Sequence, residues 1–323
     1  MLVTGPNGAG KTNLLESLHV GTQGFSPRTR RDGDLIRFGA GEARVALAGK
    51  RGHTAVDVRL DLSVSAARSA RLNGAPLASS EALRRELQTL VFTPDRLALV
   101  KGGPAARRAY FDRVLTRLQP AHAPLPADYA AAVAQRNAAL RFSSEAAVEP
   151  WTEQVAGLGA QLVAARQNVI ASLAPDFARR ASELGLESAR LAYEGEPPTR
   201  AELDARLQRD RERGTTSLGP HLHDVRLMSA ERDLRAFGSQ GEQRLTVLAL
   251  LLAEAELLES QRGVAPLLLL DDVLSELDPV RRRALAERVA VRGQTIVTAT
   301  DPSFLPVEPA QHIAVSPGGA RAA

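Results

Sequence analysis

Apolar and polar positions alternate strictly over part of the first quarter of the chain. Ala55-Val-Asp-Val-Arg-Leu-Asp-Leu62 repeats with period two, and Arg44–Ala48 and Arg68–Leu72 follow over shorter spans. That period sends successive side chains to opposite faces, so it predicts antiparallel strands with one wet face. Asn73-Gly74 predicts a tight turn after the third of them. Helical patterning predicts helices over Asn13–Val20 and Ser80–Thr89, the latter with Ser80 as N-cap, and a short one over Asp34–Phe38. Leu90–Thr93 reads as a short buried strand ended by Pro94. From about Asp95 to about Glu231, Ala, Arg, Leu and Glu recur at helical spacing. Asp112–Gln119, Asp128–Phe142, Pro150–Leu173 and Ala201–Arg213 are the helices this predicts, with Trp151 packed among them. The last third returns to α/β character: an apolar helix Leu245–Leu258, a buried strand Pro266–Leu270, a helix Arg281–Val291, a core strand Gln294–Thr298 and a final edge strand within Val307–Val315. The division expected is an α/β lobe in two parts, 1–94 and 241–316, a helical lobe at 95–240 inserted between them, and a disordered tail at 317–323.

Composition narrows this picture modestly. The 323 residues, 44% of them apolar, suffice for an α/β domain with an insertion. Nearly all of the 41 basic residues are Arg, and the net charge of +4 permits a nucleic-acid partner without requiring one. The chain has no Cys, which excludes disulfides and Cys-based metal sites. No apolar run reaches membrane-spanning length and no signal peptide is visible, so a cytoplasmic location is the expectation.

The chemistry concentrates in four places. Gly5-Pro6-Asn7-Gly8-Ala9-Gly10-Lys11-Thr12 reads G-x-x-x-x-G-K-T between a strand and a helix, the context of a phosphate-binding loop. Its glycines let backbone N–H groups curl inward at a helix N-terminus. Lys11 is placed to reach the β- and γ-phosphates of a nucleotide, and the Thr12 hydroxyl to ligate Mg²⁺. Asp271 and Asp272 end the strand Leu267–Leu270, expected to lie adjacent and parallel to the strand of the phosphate loop. Asp271 would hold Mg²⁺ or its water shell, and Asp272 would orient or deprotonate the attacking water. Ser239, Gly241 and Gln243 open a helix whose N–H groups favour a phosphate, or simply cap it. Ser275-Glu-Leu-Asp278 would cross a dimer interface or cap the next helix. Arg28, Arg30 and Arg31 lie in a polar loop that suits phosphate contact or a solvated turn.

These motifs, in this order, resemble the ATP-binding-cassette class of ATPases. More closely, the chain resembles the RecF family of bacterial recombination mediators, relatives of SMC-type heads. The resemblance rests on Gly10–Glu16, Phe25–Asp32 with Asp34–Arg37, Phe92–Asp95, Lys101-Gly-Gly-Pro with Arg107-Arg108 and Phe111-Asp112, Gln135–Asn137, Trp151, Gly219–His221 with Asp224, Gly238–Arg244 and Leu269–Asp278. It implies an α/β head with a parallel core sheet, an antiparallel side sheet and a helical lobe. It implies an ATP-dependent homodimer in which Ser239, Gly241 and Gln243 of one copy complete the ATP site of the other. It also implies DNA binding at single-stranded or gapped sites and loading of RecA with RecO and RecR, with weak, slow ATP hydrolysis through Asp272 and Lys11. Arg107 and Arg108 join the DNA-contact candidates. Three departures stand out. Leu222-His223-Asp224 occupies the place of the family's Arg-Asp-Asp. Ala299-Thr300-Asp301 stands where transport ATPases carry a catalytic His, with Thr300 a possible γ-phosphate sensor. Family members begin a few dozen residues before the phosphate loop, so a truncated reading frame with poor ATP binding or marginal folding is expected. Two alternatives stay open: the ATPase subunit of a membrane transporter and a nonenzymatic nucleotide-gated clamp.

Overall fold

A computed structural model describes residues 1–29, 31–291 and 293–323, arranged as two units: Met1–Arg96 with Leu258–Ala323, and Leu97–Leu257. The first unit opens with β1 (Leu2–Thr4), the phosphate-loop segment and α1 (Lys11–Gln23). Beside them, β2 (Glu42–Arg51), β3 (Thr54–Ser63), β4 (Ser69–Leu72) and β5 (Ala75–Pro76) form an antiparallel sheet. The period-two pattern does its work there: Val58, Leu60 and Leu62 are buried while Ala55, Asp57 and Arg59 face water. Leu60 and Leu62 share a core with Val20 of α1 and Ile36, the latter just beyond the 3₁₀ turn Asp32–Leu35, which lies earlier than the expected short helix. The β4–β5 turn uses Asn73 and Gly74, both at positive φ. α2 (Ser80–Glu86) is capped by Ser79, one residue ahead of the expected cap. β6 (Thr89–Phe92) closes this part.

In the second unit, α3 (Ala98–Lys101), α4 (Pro104–Leu118), α5 (Leu125–Phe142) and α6 (Glu145–Glu183) come first. α6 runs through Pro150 and Pro175, so the helix expected to start at Pro150 begins five residues earlier. A long apolar face including Val148, Val155, Leu162, Val169, Leu173 and Phe177 is buried, and that packing outweighs the lost backbone donors. This unit is not wholly helical. β7 (Arg190–Glu194) pairs with a strand after two short helices, α7 (Arg200–Ala205) and α8 (Leu207–Arg213). That strand, β8 (Asp224–Ser229), also pairs with β9 (Arg232–Asp233). The helical composition around these strands masks them, and the single helix expected over Ala201–Arg213 is two. α9 (Leu234–Phe237) leads to α10 (Gln240–Arg262), which belongs to this unit through Leu257. The unit boundary therefore lies inside α10, at Leu257, rather than at its first residue, Gln240, where the lobes were expected to divide.

The chain then returns to the first unit with β10 (Leu267–Leu270), α11 (Pro279–Ala290), β11 (Thr295–Ala299), β12 (His312–Ser316) and β13 (Gly319–Ala322). The sheet order is β13-β12-β1-β11-β10-β6, parallel except for β13. Two expectations are corrected. β12 is interior, because residues 319–322 of the tail expected to be disordered pair with it as a hairpin strand. The acid-bearing β10 is not adjacent to β1, because β11 lies between them. Leu268 to Leu270 and all of β11 are buried, as a parallel sheet covered on both faces requires. Val3, Ala9, Leu15, Val91, Leu269, Ile296 and Val315 form the core beneath the strand ends. Among the described residues no helix is long and apolar enough to cross a membrane.

Candidate functional site

The carboxyl ends of β1, β11 and β10 carry the polar groups, as expected of an open parallel sheet. After β1 the chain turns sharply: Gly8 and Gly10 have φ of 79° and 105°, and Gly10 is the left-handed cap of α1. Gly5 is fixed by space, since a Cβ there would lie 2.3 Å from the Val315 carbonyl oxygen. Pro6, Asn7 and Gly8 are exposed, and Ala9 is buried. Lys11 is only 8% exposed and its ammonium donates to the carbonyls of Gly5 at 2.7 Å and Pro6 at 3.1 Å. The cation is thus held over the loop's own curl.

One buried hydroxyl organises the acids. The Thr298 Oγ1, at the end of β11, donates to Asp271 Oδ1 at 2.7 Å and accepts from the Asp272 N–H at 2.9 Å. The Thr12 hydroxyl donates to the same carboxylate, at 2.9 Å and 3.2 Å from its two oxygens. Thr12, Asp271 and Thr298 therefore converge from α1, β10 and β11. Thr12 and Asp271 are hard oxygen donors, the chemistry that suits Mg²⁺ completed by water and phosphate oxygens. Asp272 sits at φ of 49°, a left-handed conformation that Asp tolerates, and its Oδ1 is buried with no hydrogen-bond partner among the described residues. Such an acceptor is expected to find a partner. Sequence reasoning missed Thr298. Its strand was visible but its register was not, and the pairing of Leu270 with Val297 is what sets Thr298 beside the acids. Thr300 instead stands exposed beyond β11, and Asp301 caps the 3₁₀ turn Pro302–Phe304.

In the second unit, Ser239 caps α10 through a reciprocal pair: its N–H donates to Glu242 at 2.7 Å and its Oγ accepts from the Glu242 N–H at 3.2 Å. Ser239 and Gln240 are exposed. Gln243 is placed otherwise than expected. It is 5% exposed and its amide donates to the carbonyls of Leu234 and Gly238, both at 3.1 Å. It shapes the turn before the helix rather than presenting itself to a ligand.

The arginine candidates separate. Arg28 pairs with Glu16 at 3.1 Å. Arg30 lies outside the described residues. Arg31 is exposed and makes no ion pair among the described residues. Arg107 is corrected: it is 3% exposed, bound to both oxygens of Asp224 at 2.7 Å and to the Gly102 carbonyl at 2.9 Å. A buried, fully engaged guanidinium does not reach a phosphate. Arg108 is half-buried and donates to the His223 carbonyl at 2.7 Å. Arg166 pairs with Asp112 at 2.8 Å and donates to the Pro220 carbonyl.

Two histidines sit inside this cluster. His221 Nδ1 lies 2.8 Å from the Tyr129 hydroxyl, and His223 Nδ1 lies 2.8 Å from that of Tyr193. Burial lowers the pKa of both, and with Arg166, His221 and Arg108 nearby that of His223 falls to about 4. Between about pH 6.5 and about pH 4 the unfolded chain therefore binds more protons than the fold, so this stabilisation is full above 6.5 and is lost as pH falls. Thermal melts across that window should show a steadily decreasing midpoint, with a shallower decline for His223→Gln. Equal slopes for the two proteins would refute this assignment.

Comparison with known proteins follows the same lines. Residues 1–316 match the RecF/RecN/SMC N terminal domain. The chain is 38% identical over 331 residues to the DNA replication and repair protein RecF of Anaeromyxobacter dehalogenans (strain 2CP-C), covering 96% of this chain and 88% of that protein. It is 37% identical over 321 residues to the protein of that name from Synechococcus sp. (strain JA-3-3Ab), covering 93% and 84%. A solved structure of the recombination mediator RecF with ATP, from the RecFOR pathway, superposes with a TM-score of 0.86 at 26% identity, covering all of this chain and 91% of that one. On sequence and fold together, the chain belongs to the RecF family of DNA replication and repair proteins, built on the ATPase head shared with SMC proteins.

Proposed function

We propose that the chain is an ATP-gated DNA-binding protein of recombinational repair and replication-fork maintenance in the cytoplasm. The observation that carries this reading is the convergence of Thr12, Asp271, Thr298 and Asp272 beside the Lys11 loop in a RecF-family head. ATP phosphates would lie in the curl of Gly5–Thr12, where Lys11 exchanges loop carbonyls for phosphate oxygens. Thr12 and Asp271 would hold Mg²⁺, which when bound neutralises phosphate charge. Thr298 keeps Asp271 oriented and fixes the backbone of Asp272. The unpartnered Asp272 Oδ1 would accept a proton from the attacking water.

The exposed Ser239–Gly241 helix end of a second copy would cover the phosphates, making ATP the bridge of a homodimer. Hydrolysis would remove the bridge. Bound at single-stranded or gapped DNA, the dimer would act with RecO and RecR to promote RecA loading. The transport-ATPase alternative gives way to the family assignment. Binding of a gapped duplex, followed by anisotropy, tests the gate. ATP is expected to tighten binding roughly 5- to 150-fold over ADP, the usual span of such coupling, and Lys11→Ala should abolish the difference. Equal affinities with ATP and ADP in the unaltered protein would contradict the proposal.

A further inference from the structure

The second unit carries an exposed surface that the nucleotide chemistry does not use. α8 is pinned from within: Leu207 packs against the core of Ala139, Leu140 and Val148, and Asp210 is fully buried against Arg136 at 2.7 Å. That leaves Arg206, Arg209 and Arg213, spaced i, i+3 and i+7, on one outward face. All three are exposed, and none forms an ion pair among the described residues. Glu202 feels the charge of Arg206 without pairing to it, and Glu212 is the acid within the helix.

Beside this face ends α5, whose last residue, Phe142, is 84% exposed. Two hydrogen bonds fix the aromatic segment to the basic one. Arg141 Nε donates to the Gly214 carbonyl at 2.8 Å, and Arg211 donates to the Ser143 carbonyl at 3.1 Å. Gly214 is at φ of 62°, and a Cβ there would meet the Arg141 side chain at 2.7 Å, so Arg141 lies across it. The segment with the bare aromatic ring and the segment with the uncommitted guanidinium groups are thereby held together by arginine side chains bound to backbone carbonyls.

We propose that this surface binds single-stranded nucleic acid, with Phe142 stacking on a base and Arg206, Arg209 and Arg213 tracking the backbone phosphates. The ring favours this over a duplex, whose bases are already stacked, and over an acidic protein, which would need the charges alone. The inference rests on the DNA-binding reading above and adds a contact site to it.

The chain's single tryptophan reports on the site, since Trp151 packs against the same Ala139, Leu140 and Val148 core that anchors Leu207 of α8. Trp151 fluorescence is to be titrated with oligothymidylate of about 20 nucleotides, longer than a typical stacking site. The same oligonucleotide, an equal-length duplex and polyglutamate are run on the unaltered protein, on Phe142→Ala and on the combined Arg206→Ser, Arg209→Ser, Arg213→Ser variant. Thermal midpoints check that these surface changes leave the fold intact. Phe142→Ala should weaken oligothymidylate binding about fivefold to a hundredfold, the usual yield of one stacked base. The triple variant should lower the slope of log affinity against log salt by about 2. Unchanged oligothymidylate binding in both variants would overturn the inference while ATP-dependent binding of gapped duplex still supported the wider function. An equal response to polyglutamate, indifferent to Phe142→Ala, would also overturn it and assign the face to an acidic protein. No DNA binding by the unaltered protein in any nucleotide state would overturn both.

Discussion

Arg136→Met is expected to destabilise the protein by about 3–5 kcal/mol, the usual cost of removing one partner from a buried ion pair. Arg136 and Asp210 are both fully buried. The guanidinium donates to Asp210 at 2.7 Å and to the hydroxyls of Thr152 and Thr216, both at 3.0 Å. Thr216 in turn donates to Asn137 at 2.8 Å, and Asp210 accepts from the Ser217 N–H at 3.2 Å. One side chain of α5 thus joins α6, α8 and the loop that follows. Methionine would fill much of the volume but leave the Asp210 carboxylate charged, buried and unpaired. The double variant Arg136→Met with Asp210→Leu removes that orphan and should recover most of the loss. Urea unfolding followed by Trp151 fluorescence measures both, since Trp151 lies in the same unit. A single variant within about 1 kcal/mol of the unaltered protein, the value of an exposed pair, would show that the network does not hold these helices together.

Asp272→Asn should slow ATP turnover by about 10²–10⁴-fold, the usual contribution of a positioned general base. Asparagine keeps the shape of the side chain, the hydrogen bond from the backbone N–H to Thr298 and the bond from Ser275 Oγ to the Asp272 carbonyl at 3.0 Å. It removes only the capacity to take a proton. ATP affinity should stay close to that of the unaltered protein, because Lys11, Thr12 and Asp271 are untouched. Single-turnover hydrolysis beside equilibrium nucleotide binding separates the two quantities. Unchanged turnover would favour a nucleotide-gated clamp without catalysis through this acid.

Local chemistry in the sequence was enough to indicate the phosphate loop and the β2–β3–β4 pattern. Gly8 and Gly10 are required by the backbone they adopt, and Asp57, Arg59 and Asp61 against Val58, Leu60 and Leu62 is a pattern only a half-wet strand satisfies. What could not be read were choices made at long range. The order of β1, β11 and β10 depends on crossovers through helices, so β11, expected as a core strand with no assigned neighbours, turns out to separate the loop from the acids and to supply Thr298. Arg107 looks like any surface Arg until Asp224, 117 positions away, closes on it. Gln243 belongs to a helix start that invites a ligand, yet it is buried and its amide nitrogen donates to the turn below. β7 and β8 were hidden because five- and six-residue strands flanked by helical composition carry little periodicity of their own.

The central claim is that ATP, held by the Lys11 loop of one copy and the Ser239 helix end of another, bridges a dimer. Static light scattering of Asp272→Asn with ATP and Mg²⁺ tests it most directly, because slowed hydrolysis preserves the bridge. The account predicts a dimer with ATP, a monomer with ADP, and a monomer in both when Ser239→Arg is added. A protein that stays monomeric with ATP, or a dimer indifferent to Ser239→Arg, would contradict it.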